Sequence, residues 1–268
     1  MARRGLVSDE SEGRDLVLDG AVLVGGAIAS NPEQRVLPGD AIAIRSARRR
    51  FVSRGGTKLE HALDSFRVDP SGRICLDAGA STGGFTDCLL QRGAHLVFAV
   101  DVGKGQMHSR VAADARVVVM DRVNVRNLEA GQIGVRPSVI VADLSFIGLR
   151  QVAPALVDLS ESGADFVMLV KPQFEARREQ VESGGVVRSP KVHAEVLERV
   201  SQELDGFGLH LNAIDPSPVT GRAGNIEFFG HWTLGGNAGA ATAYRELVSR
   251  AVAKAHDEAS SAKEEMSL

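Results

Sequence analysis

The sequence has little with which to cross-link, to hold a metal or to stack on bases. Its two cysteines, Cys75 and Cys88, cannot build a disulfide scaffold or a four-thiolate zinc site. Both read as core packing, one in an apolar strand and one on a helix face. The seven histidines are scattered with no H-x-x-x-H pair, so no metal is expected. Aromatic residues make up 4% of the chain, which argues against a protein that binds RNA mainly by base stacking. No apolar run approaches the ~18 residues of a membrane helix. The stretch Val139–Leu149 is interrupted by Asp143. Nor does an apolar signal core follow Met1-Ala2-Arg3-Arg4-Gly5, which runs into acidic residues. A soluble, cytoplasmic protein is the expectation, without membrane insertion. An excess of one charge is missing too. With 31 Lys+Arg against 34 Asp+Glu the net charge is -3, which neither announces a nucleic-acid partner nor excludes a local basic patch.

What is present is ordinary apolar content and much glycine. The 268 residues are 44% hydrophobic and 24% charged, which rules out a mainly disordered or fibrous chain. That length buries a sizeable core in one large domain or two. The 29 glycines suit an α/β enzyme.

Composition changes along the chain. Residues 1–46 read as a small α+β module: a helical end near Asp15, a strand, a Gly25-Gly26 turn, then Leu37-Pro-Gly-Asp before an alternating strand. A basic linker, 47–52, follows. From residue 53 to 234, short apolar runs alternate with helical patterns, the signature of a mostly parallel sheet. Seven strands are predicted: Ile74–Asp77, Leu96–Asp101, Val117–Met120, Val139–Asp143, Phe166–Lys171, His210–Ile214 and Ile226–Trp232. Helices are predicted over Lys58–Phe66, Gly84–Arg92, Leu149–Leu159 and Val192–Phe207. The connection Pro172–Pro190 has little periodicity and reads as functional or mobile. Residues 235–268 read as a Gly/Ala linker, a helix over Tyr244–His256 and a frayed polar tail.

The strongest local signal is Ile74-Cys-Leu-Asp77-Ala-Gly79-Ala80-Ser81-Thr82-Gly83-Gly84-Phe85. A strand ends at an acid, a glycine turn follows, and a helix begins. Glycines let backbone pass close to a ligand, and a helix N-terminus favours polar or negative groups. The spacing is neither G-x-G-x-x-G nor a P-loop. Asp101 ends the next strand, where an acid can bind both hydroxyls of a ribose. A glycine turn plus a ribose-binding acid suits an adenosine cofactor without a pyrophosphate, hence S-adenosylmethionine before a dinucleotide. A turn that merely joins strand to helix is the alternative. Asp121 and Asn124, at and after the third strand, complete the expected cofactor set with Asp143.

Four charged residues stand near strand ends or glycine turns. Asp143 ends the fourth strand, Lys171 ends the fifth, Glu227 follows Gly224-Asn225, and Lys58 follows Ser53-Arg-Gly-Gly. Charges at the ends of apolar strands are expensive unless paired or used. A structural ion-pair network is the bland reading. The functional one is methyl transfer to a hydroxyl, where a neutral lysine takes the proton from a weak nucleophile. In that reading Lys58 lies beside Lys171 as the cation that eases its deprotonation, Asp143 holds the amine, and Glu227 steers Lys58 or the incoming hydroxyl.

At these residues the chain resembles the TlyA (haemolysin A) family of ribosomal RNA methyltransferases, within the FtsJ-like 2'-O-methyltransferases. The resemblance covers about residues 5–232. It rests on Val52-Ser-Arg-Gly-Gly-Thr-Lys58-Leu, Leu76-Asp-Ala-Gly-Ala-Ser-Thr-Gly-Gly-Phe-Thr86, Ala142-Asp-Leu-Ser-Phe-Ile147 and Leu169-Val-Lys-Pro-Gln-Phe-Glu175. It implies a class I S-adenosylmethionine-dependent methyltransferase fold, a catalytic set Lys58, Asp143, Lys171 and Glu227, and ribosomal cytidine 2'-hydroxyls as acceptors. It also implies that the N-terminal module is an RNA-binding domain of the ribosomal protein S-four type. Candidate phosphate contacts are Arg3, Arg4, Arg14, Arg48, Arg49, Arg50 and Arg54. Arg177 and Arg178 are further candidates, with plain solvation the alternative.

The chain departs from the family in three places. Only Met1–Arg4 precede Gly5, so the module's first helix is expected to be missing. Arg222-Ala223 stands where Pro-Ser is usual, and Phe51 where Trp is common. No catalytic position is lost, which argues against a binding-only assembly factor. Phe85, Phe146 and Phe174 flank motif positions, and core packing is expected before stacking on adenine or a target base. Two rival functions remain on the sequence: an NAD-dependent oxidoreductase, and a membrane-active haemolysin whose only amphipathic candidate is Tyr244–His256.

Overall fold

Short apolar runs, the first two joined by Gly25-Gly26, build a small antiparallel sheet at the N-terminal end. In this computed structural model, residues 1–7, 10–18, 21–29, 31–44, 50–235 and 241–265 are described. They fall into two units, Met1–Arg54 and Gly55–Leu268. In the first, helix α1 (Glu10–Leu18) precedes strands β1 (Val22–Val24), β2 (Ala27–Ile28) and β3 (Ile42–Ile44) in the order β2-β1-β3. Gly25 and Gly26 both take positive φ, as a two-residue hairpin turn requires. Val7, Leu16, Val17, Val22 and Ala29 form its core. Ahead of Gly5 the chain makes one 3-10 turn, Ala2–Arg4.

The larger unit is an α/β sandwich. Its elements are α2 (Arg54–Phe66), β4 (Ile74–Ala78), α3 (Gly84–Gln91), β5 (Leu96–Asp101), α4 (Ser109–Ala112), β6 (Val117–Asp121), α5 (Ala130–Ile133), β7 (Val139–Ala142), α6 (Leu149–Leu159), β8 (Asp165–Val170), α7 (Pro172–Glu175), α8 (Pro190–Asp205), β9 (Leu209–Pro216), β10 (Phe228–Leu234) and α9 (Ala241–Glu265). Helix α2 starts at the last residue of the smaller unit. The seven strands lie in the order β6-β5-β4-β7-β8-β10-β9. From β6 to β8 neighbours are parallel, and β10 is antiparallel to both β8 and β9. Strands β7 and β8 are apolar on both faces because helices cover both, as in parallel sheets generally.

The reversal at β10 is what assembles the site. Phe228 pairs with Val170, so Glu227, one residue before β10, and Lys171, one residue after β8, leave the sheet at the same edge. Glu227 therefore lies outside the strand in which it was expected. The strands were otherwise drawn to within a few residues.

Two expectations need correction. The segment 172–190 is not an irregular connection: it forms α7, a 3-10 turn at Arg178–Gln180 and a bridge between Glu182 and Val186. The buried Asn225 accounts for this. It accepts from Val187 N at 3.0 Å and donates to Gly185 O at 3.0 Å, so side-chain amide groups satisfy backbone that would otherwise need solvent. The C-terminal helix is also longer than expected, running past His256 to Glu265 through residues that favour helix. Tyr244, Val248, Ala251, Val252 and Ala255 sink into the main core, and Lys254 reaches Asp215 at 2.6 Å. Residues 236–240 of the expected linker lie outside the described residues. Among the described residues, no helix is long and apolar enough to cross a membrane.

Candidate active site

The glycine turn begins where β4 delivers Asp77. That carboxyl is wholly buried and accepts from Thr86 Oγ1 at 2.7 Å, while Asp77 Oδ1 has no hydrogen-bond partner among the described residues. Burial pushes its pKa up to about 7, against the opposing bond from Thr86. Gly79, at φ 87°, then passes the exit of β7. A Cβ there would stand 2.6 Å from Asp143 O, so the crossing admits only glycine. Ser81 adopts a positive φ, and Gly83 caps α3 in the left-handed region. The result is an open turn of backbone at a helix N-terminus, with Ala80 buried beneath it.

The next two strand ends fasten the neighbouring loop. Asp101 accepts from Ser81 N at 2.8 Å and from Gly103 N at 2.7 Å, and Asp121 accepts from Gly105 N at 2.7 Å. Asn124 caps a 3-10 turn by accepting from Arg126 N. A carboxylate has about four lone-pair sites, so Asp101 retains acceptor capacity for a ribose. Phe85 is buried, and its ring lies 6.0 Å from that of Phe229.

At the β7 and β8 exits the charges are grouped. Lys171 Nζ lies 2.6 Å from Asp143 Oδ1, off the line of a hydrogen bond, so charge holds that pair. The same ammonium donates to Ser145 Oγ at 3.1 Å. Lys58, projecting from α2, donates to Glu227 Oε2 at 2.6 Å, and both side chains are buried. Gln173 Nε2 donates to the other Glu227 oxygen at 3.1 Å. Gly221 closes the remaining side, since a Cβ there would lie 2.2 Å from Glu227 Oε1. Each lysine thus has its own carboxylate, Asp143 for Lys171 and Glu227 for Lys58. Ser145, Gln173, Gly221 and Thr86 were not singled out. All four carry no charge, and a neutral residue gives no anomaly of the kind that a charge at the end of an apolar strand does.

Two aromatic residues extend the site. Phe146 was expected in the core, but its surface is 84% exposed and its φ is 63°, a conformation that costs a non-glycine residue about 1–2 kcal/mol. Its ring lies 4.9 Å from that of Phe174, which sits within 5.9 Å of Lys171 Nζ. The loop carrying Phe146 is anchored by Glu175. Its Oε1 accepts from Leu149 N at 2.7 Å, capping α6 from outside the helix, and burial raises its pKa.

The basic candidates divide. Arg4 donates to the carbonyls of Asp40, Leu37 and Pro38, bracing the small unit, and Arg14 pairs with Glu33. Arg50 lies over the Phe51 ring at 5.2 Å, and Arg54 opens α2. Arg3, Arg177 and Arg178 are exposed or partly so. Arg48 and Arg49 lie outside the described residues. Among the described residues, no cluster of three His, Cys, Asp or Glu side chains could hold a metal ion.

Comparison with known proteins agrees with this architecture. Residues 51–233 match the FtsJ-like methyltransferase model, and residues 1–42 match the S4 domain. The chain is 44% identical, over 85% of its length and 86% of the relative's, to the 16S/23S rRNA (cytidine-2'-O)-methyltransferase TlyA of Mycobacterium tuberculosis. It is 36% identical to Hemolysin A of Brachyspira hyodysenteriae, over 86% of this chain and 96% of that one. A solved chain from Streptococcus thermophilus that carries the hemolysin name superposes with a TM-score of 0.79 at 37% identity, covering 98% of this chain and 95% of that one. With a glycine turn open above a buried acid, and two lysine–carboxylate pairs at the same sheet edge, the chain belongs to the FtsJ-like methyltransferase family and carries an S4 domain at its N-terminal end.

Proposed function

We propose that this protein methylates the ribose 2'-hydroxyl of cytidine in ribosomal RNA, with S-adenosylmethionine as donor. The observation that carries the reading is the pair of lysine–carboxylate contacts, Lys171–Asp143 and Lys58–Glu227, at the sheet edge beside the Gly79–Gly83 turn. The likeness to the TlyA methyltransferase supports the choice of ribosomal RNA and of cytidine.

The residues present fit that cofactor. Backbone of Gly79, Ala80, Ser81, Thr82, Gly83 and Gly84 would line its amino-acid end, Asp101 its ribose, and Asp121 and Asn124 its adenine side. When bound, the cofactor supplies a methyl group on a sulfonium, a good leaving group. The chain's task is to present the acceptor oxygen in line and to deal with its proton. Lys171 in its neutral form takes that proton at Nζ, aimed by Asp143 and Ser145. Lys58, fixed by Glu227, donates to the ribose and orients it. Phe146, exposed and strained, stacks on the target base or its neighbour. The S4 domain, with Arg3, Arg48, Arg49, Arg50 and Arg54, meets RNA phosphates, as do Arg177 and Arg178 of the larger unit. A substrate of this kind places the protein in the cytoplasm.

Both rivals fit the fold less well. Dinucleotide folds have the strand order 3-2-1-4-5-6 and a G-x-G-x-x-G turn, whereas here an antiparallel β10 is inserted beside β8 and the third glycine is displaced. The segment offered for membrane insertion is the helix α9, whose apolar face is already committed to the core.

The test is transfer of labelled methyl from S-adenosylmethionine to ribosomal subunits from a strain lacking the modification, with K171A as control. Label on a ribose, lost in K171A while cofactor binding persists, is the expected result. Label on a base, or full activity in K171A, would refute the mechanism. Absence of cofactor binding would refute the methyltransferase reading itself.

A further inference from the structure

One residue beside the catalytic pairs has an amide used at only one end. Gln173 Nε2 donates to Glu227 Oε1, while Gln173 Oε1 is buried without a hydrogen-bond partner among the described residues. The amide cannot be turned round, because a carboxylate accepts only from a donor. Burying an unpaired carbonyl is unfavourable, and an apolar side chain of the same length would avoid it. A group kept at such a cost in a native structure calls for a functional account. Its position supplies one. Gln173 lies in the short turn α7 that follows Lys171 directly, and its contact is the carboxylate that holds Lys58. It therefore joins the two lysine–carboxylate pairs through covalent chain on one side and a hydrogen bond on the other.

We infer that Gln173 is a positioning residue for the Lys58–Glu227 pair. Its amide fixes the Glu227 carboxylate in the rotamer that aims Lys58 at the acceptor ribose. Three groups bound that carboxylate: the Lys58 ammonium from α2, the Gln173 amide from α7, and the uncharged backbone at Gly221. Lys171 and Asp143, the neighbouring charges at the β8 and β7 exits, form their own pair. Gln173 is thus the donor that can be altered without removing a charge from the site. The inference deepens the methyltransferase reading and rests on it for its kinetic consequences.

Two substitutions in the full-length protein test it. Q173M keeps length and burial but removes the donor. It should lower kcat roughly 10- to 100-fold, with the KM for S-adenosylmethionine unchanged and the thermal midpoint within about 3 °C of the parent. Q173E places a second carboxyl against Glu227. At low pH the two carboxyls share a proton, and the introduced acid donates as the amide did. As pH rises the proton leaves, the donor is lost and two anions face one another. The ratio of Q173E to parent kcat should therefore fall with rising pH. A flat ratio, or full kcat in Q173M, overturns the inference, because a merely structural glutamine would give no pH limb. A third readout needs no turnover: the side-chain carboxyl resonance of Glu227, assigned with E227Q, should differ in chemical shift between Q173M and the parent at a single pH. An unchanged resonance overturns the inference even if the protein methylates nothing. A changed resonance in a protein without activity would leave the contact standing and sink the methyltransferase reading instead.

Discussion

Asp77 carries its carboxyl in a place where a charge is unwelcome, and the consequence is measurable. Its folded pKa, pushed up to about 7 by burial, lies above the ordinary value of 3.8. Between those values the native state holds a proton that the unfolded chain has released, so this group's contribution to stability is full below about 3.8 and lost as pH rises to 7. D77N should raise the thermal midpoint of the ligand-free protein at pH 8 while weakening S-adenosylmethionine binding, by calorimetry. No gain in midpoint would count against the buried charge. Gly79 gives the complementary test. G79A forces a Cβ toward Asp143 O at a positive φ, and cofactor affinity should fall by about tenfold or more. The charged residues of the site were legible because charge at the end of an apolar strand is anomalous wherever it occurs. Gln173 and Ser145 were not, because a neutral polar residue after a strand is unremarkable until its partner is seen. Phe146 was misread for a related reason: an aromatic beside a motif is usually core, and only the backbone reveals the left-handed turn that pushes it out.

Elements were legible by period, and their order was not. The seven strands of the larger unit announce themselves as apolar runs, but nothing in β10 states that it runs backwards between β8 and β9. That follows from pairing, which a single sequence does not display. The same holds for the seating of α9. His193, on α8, is buried, with Nε2 3.1 Å from Val187 O and Nδ1 3.0 Å from His256 Nε2 on α9. With Nε2–H donating to the carbonyl, Nδ1 is left to accept from His256. Burial lowers the His193 pKa from 6.5 to about 4. The unfolded chain then binds the extra proton across that window, so this contribution to stability is full above 6.5 and lost as pH falls toward 4, by up to about 1.4 kcal/mol per pH unit. In the overlapping range it opposes the Asp77 effect. Urea titrations of H193L should therefore lose the acid-side decline, and a decline unchanged in H193L would rule out this pair as its source. Glu175 works between elements as well. E175A leaves the α6 N-terminus without its cap, and should cost about 1 kcal/mol of stability.

At the scale of the molecule, each of the two units has its own core, and the cores differ greatly in size. The small unit buries Val7, Leu16, Val17, Val22 and Ala29, whereas the larger buries a layer of apolar residues on each face of a seven-stranded sheet. A core that small is marginal by itself. Native-state hydrogen exchange should release the amides of Val22–Val24 well before those of Val139–Ala142. Equal protection would mean that the units open together. Composition changes near residue 50, but within the small unit Arg4 reaches three carbonyls more than thirty residues away, a contact no local pattern encodes.

The backward course of β10 has one more effect, and it concerns time. Lys58 and its partner Glu227 are separated by 169 positions. During synthesis the chain leaves the ribosome at about 5–20 residues per second. Lys58 must therefore wait roughly ten seconds or more for the residue it pairs with. The glycine turn takes shape from the middle of the sequence, while the Lys58–Glu227 pair closes only when the penultimate strand of the sheet order has been inserted between two strands made before it. On the function proposed above, a nascent chain would gain the means to hold a nucleoside well before it gains the means to act on one.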